Sequence, residues 1–290
     1  MRVFVTGASG HIGSAVVPEL LRGGHEVVGL ARSETSAAAV KALGAEVRRG
    51  DTGDLDVLRA AAADADAVVH LAFNHDQIMT DFAGAAAADL AAVRAFGDAL
   101  AGTGKTLMGV GLGEAPNETV AANPRFAVAR ELAELARRDI RVLLMGIPQV
   151  VHSPRDSRGF IPMLIAIARG AGVSGYVGDG ANRWPAVHTL DLARLYRLAL
   201  EKAPAGSQLP AAAEEGVPVR EIAAAIGRHL GVPAASIPAE RAADHFGGFA
   251  AFIGYDNPMS NAGTRQLTGW APEHSGLIAD IDEGHYFTAG

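Results

Sequence analysis

Gly7-Ala8-Ser9-Gly10-His11-Ile12-Gly13 decides the fold. The stretch follows a short apolar run, Val3–Thr6, and opens a segment with helical periodicity, His11–Arg22. In that setting the three glycines serve different ends. Gly7 makes the tight turn, Gly10 lets backbone approach a pyrophosphate, and Gly13 lets the helix pack closely on the strand. The helix N-terminus adds unsatisfied N–H groups and the positive end of its dipole. Ser9, His11 and Ile12 complete the loop as candidate contacts to the phosphates.

The same alternation continues outward. Glu26–Ala31 reads as a strand, Thr35–Leu43 as a helix, Ala45–Arg48 as a strand and Asp54–Ala63 as a helix. Ala67–Ala72 is a strand, uniformly apolar apart from His70. A long alanine-rich helix is predicted from about Asp81 to Leu100. Then come a strand at Thr106–Val110, a helix at Arg125–Arg138 and a strand at Arg141–Ile147. Strands apolar on both faces, alternating with helices, predict an α/β fold of Rossmann type, a doubly wound parallel sheet. After Pro148 the rhythm breaks into loops rich in Pro, Gly, Arg and aromatics. The expected organisation is a dinucleotide-binding core over 1–150 and a smaller C-terminal substrate lobe over 151–290, with elements returning to the core.

Composition limits the function classes. The chain has 290 residues, 49% hydrophobic and 20% charged, with a formal net charge of −7. That fits a globular protein with a sizeable core. Acidic and basic residues are interspersed, so neither nucleic acid nor a membrane is an expected partner. There are no cysteines, which excludes disulfides, thiolate metal sites and cysteine nucleophiles. The ten histidines show no paired ligand spacing, so no metal site is expected. The N-terminus is a strand rather than a leader, and a cytoplasmic protein with a small-molecule substrate is the expectation.

The end of the second strand bears on the cofactor. An acid there favours NAD by holding the ribose hydroxyls. This chain has Leu30-Ala31-Arg32-Ser33, where Arg32 can pair with a 2′-phosphate and Ser33 can donate a hydrogen bond. The expectation is NADP(H), with Glu34 leaving NAD(H) open. Asp51 and Thr52, Leu71, Ala72 and Phe73, and Pro148 all follow strand C-terminal ends, where such sheets bind ligands; they are candidate cofactor contacts.

As a set, TGASGHIG, GDTGD, HLAF and Arg183-Trp184-Pro185-Ala186-Val187-His188-Thr189-Leu190-Asp191 resemble the short-chain dehydrogenase/reductase superfamily, in its extended and atypical branch related to NAD-dependent epimerase/dehydratases. The resemblance spans nearly the whole chain. It implies a catalytic serine and a Tyr-x-x-x-Lys pair, and a dimer formed through the long helices. Arg183, Trp184 and His188 form a polar-aromatic group suited to lining a substrate pocket, with Trp184 equally readable as lobe core and His188 as a buried histidine bonded to backbone. The triad is missing. Leu107–Gly113 has no serine, and the following helix offers Phe126 and Arg130, or Asn123 and Ala127, where Tyr and Lys belong. Phenylalanine cannot donate a proton, and arginine does not titrate near neutrality. Four candidate proton-transfer residues remain: His75 with Asp76 after the fourth strand, His152 after the sixth, and Tyr176.

Three functions stay open on these residues. The first is an NADP(H)-dependent oxidoreductase for a small or medium carbonyl/alcohol pair, with a non-standard proton donor. The second is an isomerase, lyase or cyclase with a structural or absent cofactor. The third is a nucleotide-sensing binding protein.

Overall fold

The computed structural model describes residues 1–74, 80–111 and 123–288. Residue contacts divide the chain into two units. The first comprises 1–147, 193–209 and 263–270; the second comprises 148–192, 210–262 and 271–290.

The first unit is built on a seven-stranded sheet. Its strands are β1 (Arg2–Thr6), β2 (Glu26–Ala31), β3 (Glu46–Arg49), β4 (Ala67–His70), β5 (Thr106–Gly111), β6 (Arg141–Gly146) and β10 (Gln208–Pro210), in the order β10-β6-β5-β4-β1-β2-β3. β1 runs parallel to β2 and β4, β2 to β3, β4 to β5 and β5 to β6. The chain therefore winds one way from β1 to β3 and the other way from β4 to β6. The reversal lies between β1 and β4, where Thr6 and His70 stand side by side in register. Loops leaving two such strands diverge and open a crevice at their carboxyl ends.

Helices α1 (Gly13–Arg22), α2 (Glu34–Ala42), α3 (Leu55–Asp64), α4 (Phe82–Leu100) and α5 (Arg125–Leu135) link these strands. One core cluster joins Phe4, Leu58, Val68, Phe96, Leu107 and Leu132, all fully buried or nearly so. Small residues set the spacing there. A Cβ on Gly109 would stand 2.6 Å from a Leu132 methyl, and one on Gly97 would collide with Leu135, so α5 is seated directly on α4 and β5.

Three expectations shift locally. α1 begins at Gly13 rather than His11, because the glycine loop occupies the first residues. The 125–138 segment is α-helical only to Leu135 and tightens to a 3-10 turn at Ala136–Arg138. It is closed by Asp139 in the left-handed region at φ 54°. β3 is an edge strand, only partly buried, and its two arginines mark it as such; exposed edges tolerate charge that central strands do not.

The second unit carries a three-stranded sheet. Its strands are β7 (Val150–His152), β9 (Arg183–His188) and β11 (Glu214–Pro218), with β9 in the middle. A two-stranded parallel pair, β8 (Ser174–Val177) with β12 (Ala234–Ile237), accompanies it. α6 (Phe160–Ala171) and α8 (Val219–Leu230) pack with Trp184, Ile222, Phe246, Phe249 and Ile281 into a separate core. α7 (Thr189–Lys202) starts in this unit and continues into the first. The remaining helices are α9 (Ala242–Phe246), α10 (Ala250–Ile253), α11 (Ala262–Thr268) and α12 (Leu277–Asp282). No helix among the described residues is long and apolar enough to cross a membrane.

Candidate functional site

The glycine loop has the geometry its sequence demands. Gly7 lies at φ +67°, and a Cβ there would stand 2.8 Å from the Ala72 nitrogen. A Cβ on Gly13 would stand 2.8 Å from the Ala8 Cα and would overlap the Gly7 carbonyl. Gly10 N–H donates to Gly7 O at 2.9 Å, and Ser14 N–H to Gly10 O at 2.8 Å. Ser9 and Gly10 are exposed, and His11 and Ile12 half-buried. No side chain caps α1, and its first turn holds no acid. Ser14, Ala15 and Val16 N–H are taken up by the Gly10 and Ile12 carbonyls, which leaves the Ile12 and Gly13 N–H groups at the start of α1 to meet an anionic oxygen. The loop fits a dinucleotide pyrophosphate by this backbone cradle.

At the neighbouring ends of β1 and β4 the protein builds a buried polar chain. Leu71 and Ala72 N–H donate to Thr6 Oγ1 at 3.2 and 3.1 Å. This is why β4 stops at His70, two residues short of the expected Ala72: the next amides leave the ladder for a side chain. With both of its acceptor positions filled, the Thr6 hydroxyl donates its own proton to His70 Nδ1 at 2.7 Å. Nδ1 is then an acceptor, the ring proton sits on Nε2, and it is donated to Asp89 Oδ1 at 2.8 Å. The tautomer follows from this donor count. Phe96 packs its edge against the imidazole, with ring centroids 5.2 Å apart. Thr6, His70 and Asp89 are all buried.

A small cavity opens beside this chain, lined by His70, Phe73, Asp89, Val110, Arg125 and Val128 among others. Arg125 enters it from the first turn of α5. Its guanidinium carbon lies 4.2 Å above the Phe73 ring, and Phe82 meets the same ring edge-on at 6.4 Å. Burial holds the Arg125 pKa below the ordinary arginine value, and the Asp89 charge partly offsets this. Among the described residues no hydrogen bond or ion pair engages the guanidinium. The cavity thus offers a half-buried, permanently charged donor beside a buried carboxylate that already has its partner.

The expected site residues fall out as follows. Leu71, Ala72 and Phe73 follow β4 at the cavity. Asp51 accepts from Thr52 Oγ1 and Gly53 N–H. His75 and Asp76 lie outside the described residues. Phe126 is half-buried and Arg130 exposed, so the cation brought into the cavity is Arg125, one position before the Phe126 register. In the second unit, Pro148 is buried. His152 is 1% exposed, with Nδ1 3.1 Å from Asp280 Oδ2. Tyr176 packs against the second core. Trp184 belongs to that core and donates its indole N–H to Tyr255 O at 3.1 Å. Arg183 is bound bidentately to Asp256, at 3.0 and 2.9 Å. His188 is buried and stacks on His274, with ring centroids 4.5 Å apart. Sequence reasoning missed Thr6, His70, Asp89 and Arg125 as a group. The available signals were a lone histidine in an apolar strand and a lone aspartate in an alanine-rich helix.

Two yeast proteins align with the chain end to end. The uncharacterized protein C2A9.02 of Schizosaccharomyces pombe is 42% identical, over 99% of this chain and 100% of that protein. The uncharacterized protein YLL056C of Saccharomyces cerevisiae is 41% identical, over 97% and 98%. Residues 3–94 match the model of the NAD dependent epimerase/dehydratase family. Among solved structures, the UDP-glucose 4-epimerase of Thermus thermophilus, in complex with NAD, shares the fold at a TM-score of 0.74 and 20% identity over the full length of both chains. A double mutant of the dTDP-glucose 4,6-dehydratase DesIV of Streptomyces venezuelae, with NAD bound, does so at 0.73 and 21%, over 97% and 96%.

These solved structures hold NAD, which overturns the expectation of NADP(H). The local structure explains why the Arg32-Ser33 pair misled. The Ser33 side chain is spent on capping α2, accepting from Ser36 N–H at 3.1 Å. Its carbonyl accepts from Arg49 at 2.7 Å, and Arg32 is an exposed side chain. Fold, glycine loop and the family match over residues 3–94 agree: the chain belongs to the NAD-dependent epimerase/dehydratase family, in the extended branch of the short-chain dehydrogenases/reductases.

Proposed function

We propose that this protein is an NAD(H)-dependent oxidoreductase acting on a small or medium organic carbonyl/alcohol pair without the usual tyrosine. The observation that carries the reading is the shared position of two features at the C-terminal ends of β1 and β4. One is a backbone cradle shaped for a pyrophosphate; the other is a cavity holding the Arg125 guanidinium.

When bound, NADH supplies the hydride. The protein's own residues do the rest. Gly7–Gly13 and the start of α1 hold the phosphates. Asp51 and Thr52 face the adenosine end, and Leu71–Phe73 border the reacting end. Arg125 donates N–H bonds to the substrate oxygen, which gains negative charge as the carbonyl carbon accepts hydride. Preorganised donors of this kind are worth about 100- to 1,000-fold in rate. The proton that completes the alcohol comes from water, since arginine keeps its own. Asp89, fixed by His70, supplies a countercharge to the half-buried Arg125.

Calorimetric titration with NADH tests this reading, followed by a carbonyl panel read through loss of the reduced nicotinamide's absorbance. Saturable NADH binding with turnover of at least one carbonyl is expected. Tight binding with no turnover of any substrate moves the chain to an isomerase or lyase role, and failure to bind overturns the cofactor assignment.

A further inference from the structure

We propose that Asp280, Glu283 and His285 in the second unit form a site for a first-row divalent transition metal. They sit on the last turn of α12 and the turn after it. One ligating atom from each lies within 4.8 Å of the other two. The decisive observation is what these atoms lack. The Asp280 side chain is 2% exposed, yet its Oδ2 has no hydrogen-bond partner. Both ring nitrogens of His285 are buried and equally unpartnered. His152, on β7, brings Nδ1 to 3.1 Å from the same Asp280 oxygen, and neither of its nitrogens makes a hydrogen bond either. Buried polar atoms are almost always satisfied, and a buried carboxylate without a donor is costly. An unpartnered buried carboxylate oxygen and an unpartnered imidazole nitrogen facing each other, with a second carboxylate in reach, are the arrangement a cation resolves.

The dimensions agree. His285 Nε2 and Asp280 Oδ2 are 3.7 Å apart. Two ligands on a tetrahedral zinc at about 2.0–2.2 Å stand about 3.3–3.6 Å from each other. Closing that gap takes a side-chain adjustment of a few tenths of an ångström. One imidazole and two carboxylates suit zinc and its neighbours better than calcium or magnesium, which prefer all-oxygen shells. Glu283 is exposed and gives the ion a route from solvent, while Ser275 Oγ donates to its carboxylate at 3.2 Å. The turn is anchored independently of any ion. Asp282 is held by Arg228 at 2.9 Å and His229 at 3.1 Å, and Phe287 stacks on His229 at 4.5 Å.

A second trio, His188, Asp191 and His274, is equally compact but is already closed. Asp191 accepts from Glu273 N–H, His274 N–H and His274 Nδ1 at 3.0, 3.0 and 2.9 Å. The two imidazoles lie face to face rather than converging. Asp191 serves there as a cap for the 273–274 turn.

The experiment uses the full chain, stripped with a chelator and titrated with zinc chloride by calorimetry in a non-chelating buffer. Cobalt(II) absorption reports the coordination geometry. One equivalent of zinc is expected to bind and raise the melting temperature. His285→Ala and Glu283→Gln should each weaken binding at least tenfold, with His274→Ala unchanged. Glu283 is exposed, so its variant keeps the fold, which circular dichroism checks. Absence of saturable zinc binding overturns the site. So does binding that survives both the His285 and Glu283 changes, or that is lost in His274→Ala.

Discussion

His70 Nε2 donates to Asp89 Oδ1 at 2.8 Å, and this bond ties the end of β4 to the middle of α4 beneath the cavity. Its direction is set from the far side of the ring. Thr6 gives His70 Nδ1 a proton because its own lone pairs are occupied by two amides. His70 is thereby the donor to Asp89, and the Asp89 charge acts on Arg125 from across the pocket rather than as a bonded partner. A half-buried guanidinium without such compensation would carry a desolvation cost.

Thr6→Val should expose that dependence. Valine keeps the β-branched shape but removes the hydroxyl, leaving two amides and the His70 acceptor unpaired. Unfolding in urea should show a loss of about 1–3 kcal/mol, the penalty for orphaned buried groups. Thr6→Ser restores the hydroxyl and should recover most of it. Equal losses in both variants would show that packing rather than hydrogen bonding governs the position.

Arg125→Met separates binding from chemistry. Methionine retains much of the apolar stem and deletes the charge. On any carbonyl substrate that turns over, kcat should fall about 100- to 1,000-fold, while NADH affinity stays within about threefold. Arg125→Lys should recover only part of the rate, since a point charge does not reproduce the planar fork. A kcat unchanged by Arg125→Met would remove this residue from the mechanism.

Gly13→Ala tests the cradle. The added Cβ has nowhere to go between Ala8 and the Gly7 carbonyl, so α1 must move off β1. NADH affinity should drop more than tenfold, with a stability loss of about 1–3 kcal/mol as for other overpacked sites. Gly53→Ala, where a Cβ meets nothing within 4 Å, is the matched control and should leave both within error.

The sequence announced the sheet and the cradle because both are local. Strand–helix alternation and glycine spacing are set by neighbours a few residues apart. Arg125 was hidden by two kinds of non-locality. Its cavity is assembled from β4, α4, β5 and α5, with lining residues that run from His70 to Leu132 in the sequence. And the family's Tyr-x-x-x-Lys frame draws attention to Phe126 and Arg130, whereas the helix turns the preceding residue inward. Arg32 failed in the opposite way. A side chain at a suggestive position was read without its neighbours, and Ser33 beside it turned out to be a helix cap. In the second unit Trp184 lies in the core, one of the two readings its position allowed, and Arg183 is held by Asp256.

His188 should make the stability of the second unit fall in mild acid. Burial, followed by the charges of His152 and His274, holds His188 below the ordinary imidazole pKa, against the opposing pull of Asp280 and Asp191. A histidine whose folded pKa is depressed takes up its proton more readily unfolded. Its stabilising contribution is therefore complete above the unfolded value of about 6.5 and is lost as pH falls from there through the lower folded pKa. Melting temperatures between about pH 8 and pH 5 should decline for the native chain. His188→Asn keeps an acceptor for the Leu190 N–H that His188 Nδ1 now receives at 3.3 Å but removes the titration. Its curve should decline less over the same interval, the two converging as pH falls. Curves that stay parallel across that range would assign the acid sensitivity to other groups, with His245, also depressed by burial, the next to replace.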